Sequence, residues 1–207
     1  MSDQNQTLQH DLEYLKALAK DGRDAPLLGG LTLVFAGVAF GSASIAAYLL
    51  QTDRITADPS WRSLVWLIAM GVFFVGLFFT RGRVIRQPGA MAPSNRAVGG
   101  AWQAVGWSIF AMGLSLAAMG WRHHSFAPGL FFAPYIMAVY GIGWAVAATM
   151  SRKIWIGLVA IGCFVATVIM GALAGDAEQY LAYAAALILL AAVPGAVLLR
   201  GEPAHTI

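Results

Sequence analysis

The residues of this chain that could do chemistry are few and neutral. Gln103, Trp107, Tyr135, Tyr140 and Trp144 combine hydrogen-bonding groups with aromatic faces in the third and fourth of its apolar stretches. Tyr140 and Trp144 stand one helical turn apart, and Gly141 and Gly143 leave room beside them. Together the five predict an aromatic-lined cleft suited to a neutral or apolar ligand, although ordinary core packing uses the same residue types at the same spacing. Ser108 and Ser115, two turns apart, predict hydrogen bonds between helices. His123 and His124 are adjacent, and adjacent residues do not share a helix face, so they are poorly placed to ligate one metal ion. Asp53, Asp58, Asp176 and Glu178 fall on the same side of the chain as these histidines. Cys163 is the only cysteine and lies inside an apolar stretch, which rules out an internal disulfide and suits a small core filler. No catalytic, cofactor-binding or metal-ligating residue is assigned.

Several chemistries fail for want of residues. An intramembrane serine protease needs a histidine within a later span. Gly41-Ser42-Ala43-Ser44 matches its Gly-x-Ser-x motif in letters only, since no apolar stretch holds a histidine. A membrane b-type cytochrome needs histidines inside helices to hold haem. Proton-coupled exporters need a carboxylate at depth, and ionisable groups in the bilayer generally mark such function because they are costly to keep there.

The elements that would position these residues are transmembrane helices. Hydrophobic residues make up 59 % of the chain and charged residues 11 %, far from the roughly 25 % charge of soluble domains. Six uncharged stretches, 27–50, 63–80, 97–120, 127–149, 154–174 and 180–199, are each long enough to cross a hydrocarbon core of about 30 Å. Continuous apolar runs predict helices, because a barrel strand alternates over about 10 residues. The expected fold is an all-α membrane protein, a six-helix bundle over 27–199 with an N-terminal arm (1–26) and a tail (200–207).

Lys and Arg set the expected orientation. Ten fall on one side (Lys16, Lys20, Arg23, Arg81, Arg83, Arg86, Arg96, Arg152, Lys153 and Arg200) and three on the other (Arg54, Arg62 and Arg122). The positive-inside rule then puts both termini in the cytoplasm. Ten Arg against three Lys, with abundant Ala and Gly, suits a GC-rich bacterium and hence an inner membrane. The formal charge of +3 is a topology signal; the basic residues are split among short segments, which argues against nucleic-acid binding.

Two cytoplasmic segments stand out. Leu8, Leu12, Leu15 and Leu18 share one face of a predicted amphipathic helix over residues 7–20, with Glu13, Lys16 and Lys20 opposite. The arm's side chains sum to a negative charge, unlike the basic helices that lie on anionic lipid. The bilayer surface is one expected seat for this helix, and a protein surface is the alternative, from another chain, whether a partner protein or a second copy, or from this protein's own loop 81–97. The loop 81–97 carries Arg81, Arg83, Arg86 and Arg96 and no acid, and Pro88 and Pro93 are expected to keep it irregular. Trp66, Trp107 and Trp144 fall at depth, where an indole N–H needs an acceptor, so they are expected to face other helices. Pro134 and Pro194 are expected to kink the fourth and sixth spans. Gly37/Gly41 and Gly171/Gly175 offer close helix approach.

These features predict a non-enzymatic multi-pass protein of the bacterial inner membrane, free of cofactors, whose arm binds a partner or regulates the bundle. The alternative is a small facilitator or exporter of a neutral or apolar compound, not coupled to protons through an intramembrane carboxylate.

Overall fold

A computed structural model describes residues 26–202 other than Pro59, Pro88 and Phe126, with every side chain among them except those of Arg83 and Pro128. The expected arm helix, with Leu8, Leu12, Leu15 and Leu18, lies outside the described residues. Six helices follow in order: α1 (Gly30–Gln51), α2 (Ser60–Ile85), α3 (Pro93–His123), α4 (Phe132–Ser151), α5 (Ile154–Ala172) and α6 (Glu178–Gly201). A 3-10 turn, Ala127–Phe131, leads into α4. Each helical segment is long and apolar enough to span a membrane, and the described residues contain no strand.

The expected boundaries move at two places. The loop expected over 81–97 is irregular only between Ile85 and Pro93, so Arg81 and Arg83 ride on the last turns of α2 and Arg96 on the first turn of α3. Pro93 starts α3 instead of breaking it, because a first-turn residue has no intrahelical use for its N–H. The same reasoning removes the expected kink at Pro134, which sits in the first turn of α4. With 31 residues, α3 is about 46 Å long, well beyond a hydrocarbon core, and its ends run past it.

The helices pack as a curved row in the order α2, α1, α6, α5, α4, α3, while α2 and α3 do not pack on each other. The tightest seam joins α1 to α6. A Cβ on Gly37 would come within 2.7 Å of the Ala192 backbone, and one on Gly195 within 2.7 Å of the Gly30 carbonyl. Close approach of this kind replaces the hydrophobic drive that lipid cannot supply between helices. Gly41 has only ordinary contact with Ile188, at 3.4 Å. Gly171 meets nothing within 4 Å, and Gly175 turns the chain between α5 and α6 with a φ of +104°, so the expected Gly171/Gly175 approach does not form.

Candidate functional site

The centre of the bundle is built by one proline and one indole. Pro194 has no N–H to give the carbonyl of Leu190, four residues earlier. The α6 backbone widens into a π segment, Ile188–Ala192, just before it. The Leu190 carbonyl instead accepts the Trp144 indole N–H of α4 at 2.9 Å. Trp144 has 0 % exposure and belongs to a core with Leu33, Val98, Ile156, Ala160 and Cys163. The kink expected at Pro194 thus takes the form of a π bulge, and the carbonyl it frees is the acceptor that Trp144 requires.

Around Trp144 the structure gathers only part of the predicted cleft. Trp102 of α3 packs edge-on against Tyr140 and Trp144, with ring centroids 5.2 and 5.4 Å away. The space beside Gly143 holds the Trp102 ring at 3.4 Å from a notional Cβ, and the space beside Gly141 holds the Phe164 ring. Tyr135 faces α3, where its hydroxyl pairs with the Ser108 hydroxyl at 2.8 Å. Gln103 and Trp107 point away from the bundle, Trp107 being 71 % exposed and packed only on Phe110 among aromatic neighbours. Trp107 therefore faces outward, contrary to expectation, because the packed face of α3 runs through Val98, Trp102, Val105 and Ile109. Ser115 is exposed as well. The five predicted residues do not line one cleft.

A different aromatic group forms on the concave side of the row. Tyr183 of α6 is 5 % exposed and packs against Trp66 of α2, centroids 6.3 Å apart. Phe40 of α1 packs at a tilt against Phe73 of α2, centroids 5.4 Å apart. Tyr140 adjoins the same cluster, which also takes Ile109 from α3. Tyr183 escaped the sequence reading because an Ala-rich run surrounds it, and its only signal is a tyrosine in an apolar span.

The second constellation is polar and sits at the end of the bundle where α1 begins and α6 ends. Gly29 adopts a φ of +99°, which turns its N–H and that of Gly30 toward one point. Successive amides of this kind form an anion-binding nest at the positive end of a helix. The Glu202 carboxylate fills it, with Oε1 accepting from Gly29 at 3.0 Å and Gly30 at 2.9 Å. Gln87, from the α2–α3 connection, donates Nε2 to Glu202 Oε2 at 3.0 Å, while its own Oε1 is buried with no partner among the described residues. Asn95 donates to the Pro26 and Gly89 carbonyls, both at 2.9 Å, and accepts the Leu28 N–H at 3.2 Å. A cavity of about 110 Å³ adjoins this junction, lined by Pro26, Leu27, Lys153, Trp155, Val197, Leu198 and Gly201. Arg81, Arg86 and Arg96 are exposed around the same end.

At the opposite end, Gln179 ties α6 to its neighbours by donating to the Leu130 carbonyl at 2.8 Å and the Met170 carbonyl at 3.1 Å. Asp58 accepts the Ser60 N–H at 2.9 Å at the start of α2, and the Ser60 hydroxyl and N–H hold its carboxyl below the ordinary range. His123 ends α3 and His124 follows in a left-handed conformation. Among the described residues no three His, Cys, Asp or Glu side chains come together as a metal site. The described residues thus form a membrane-type helical fold with an apolar, aromatic interior and a polar junction where α1 begins and α6 ends. No protein-family model, curated protein or solved structure matches the chain.

Proposed function

We propose that this protein is a non-enzymatic, multi-pass protein of the bacterial inner membrane, with both termini in the cytoplasm, whose arm engages a protein partner or sets the state of the bundle. The observation that carries this reading is the junction around Glu202. There, side-chain bonds from residues 26–30, 87–95 and 202 converge where the arm joins α1. A pull on the arm would act first on Pro26 and Leu28, held by Asn95, then on Gly29 and Gly30, and through Glu202 and Gln87 on α6 and the α2–α3 connection. The facilitator reading has less support, since Gln103 and Trp107 stand outside the bundle while Trp144 and Met137 close its interior.

Native mass spectrometry of the full chain and of a chain lacking residues 1–21, both in mild detergent, tests the proposal. A partner or dimer lost with the arm supports it. Identical assemblies, with identical thermal stability of the two chains, would remove its basis.

A further inference from the structure

The recess on the concave side of the helix row has the chemistry of a ligand site. Neither the Tyr140 nor the Tyr183 hydroxyl makes a hydrogen bond among the described residues, and neither oxygen is fully enclosed, although Tyr183 as a whole is 5 % exposed. Tyr140 packs against the cluster that contains Tyr183. They lie roughly 12 Å and 8 Å along α4 and α6 from the ends of those helices opposite the junction, at depths where water is scarce. A hydroxyl without an acceptor in hydrocarbon is costly, so the pair calls for an acceptor that the described residues do not supply. Walls for one are present: Trp66 and Phe73 on α2, and Trp102 and Ile109 on α3. Because α2 and α3 do not pack together, the recess opens sideways toward lipid.

We propose that this recess binds a neutral, flat carbonyl compound of the quinone class that enters from the bilayer, with a ring carbonyl accepting from Tyr140 and Tyr183. The absence of any described charged side chain among the walls excludes an ionic headgroup, and the flat indole faces favour a ring over an acyl chain. The site goes beyond the proposed role of the arm and does not depend on it.

The test uses the full chain in lipid nanodiscs, titrated with a benzoquinone bearing a short alkyl tail and followed by tryptophan fluorescence. Saturable quenching is expected, reduced in Trp66→Phe and Trp102→Phe and unchanged in Trp107→Phe, whose ring lies on the far face. Tyr140→Phe with Tyr183→Phe keeps both rings and should weaken binding roughly tenfold, the combined worth of two hydrogen bonds. Non-saturable quenching, or equal affinity in a double Phe variant of unchanged thermal stability, would overturn the proposal. Should the double variant be unstable, the Trp66→Phe and Trp107→Phe pair decides: equal quenching of the two rejects the site. Displacement of the quinone by equimolar diacylglycerol would overturn the quinone assignment in favour of an ester carbonyl.

Discussion

Replacing Trp144 by Phe separates two contributions that the centre of the bundle combines. The change removes the N–H that satisfies Leu190 and leaves that carbonyl unpaired in a dry core. Measured membrane cases put the loss at about 1 kcal/mol. It also opens a void of roughly 40 Å³, which at about 24 cal/mol per Å³ adds ~1 kcal/mol because Trp144 is enclosed on every side. The single variant should thus be destabilised by about 2 kcal/mol. Pro194→Ala supplies the backbone N–H that the Leu190 carbonyl lacks, so in that background Trp144→Phe should cost only the void. A coupling energy of about 1 kcal/mol follows. Reversible unfolding of the four proteins in mixed micelles, read by far-UV circular dichroism, measures it. If Trp144→Phe costs the same in both backgrounds, the Leu190 carbonyl is not what the indole serves.

Other perturbations test the seams. Gly37→Ala should destabilise by about 1–3 kcal/mol, because the added methyl meets the Ala192 backbone, which cannot swing aside; Gly71→Ala, with nothing within 4 Å, should be neutral or slightly stabilising in the same assay. Glu202→Ala should cost roughly 2 kcal/mol by uncapping α1, whereas Glu202→Gln should cost less, since its amide can donate to the unpaired Gln87 Oε1; thermal unfolding monitored by size exclusion ranks them. The Asp58 carboxyl should titrate below the ordinary Asp range in a ¹³C NMR titration, and Ser60→Ala should move it back up. Because a folded-state value below the unfolded one stabilises the start of α2 above the unfolded value, that contribution should be present at neutral pH and fade as pH falls through the Asp58 titration.

Membrane helices write their existence into sequence in the bluntest way, through length and missing charge, and all six were legible for that reason. Trp144 and Pro194 were each legible as a need, a donor without an acceptor and an acceptor without a donor. Their pairing was not, because it depends on how α4 and α6 cross. Trp107 shows the limit from the other side: burial at depth and exposure to lipid demand the same apolar residues, so a tryptophan midway along a span reveals its depth but not its direction. The polar junction was the least legible part. Gln87, Asn95 and Glu202 are single polar residues in connections and at a helix end, with no spacing that marks them, and their meeting is set by the Gly30–Gly195 approach.

The bond between Glu202 and the amides of Gly29 and Gly30 joins the start of α1 to a residue translated after the whole of α6. Until that residue arrives, the leading turn of α1 keeps two donors without their carboxylate, and the Gly37 seam has no α6 to close against. The junction can therefore close only after α6 has been made, and a chain halted within α6 would lack this contact. Such a product would be open at the junction, with Gln87 and the α1 amides left without the carboxylate that joins them.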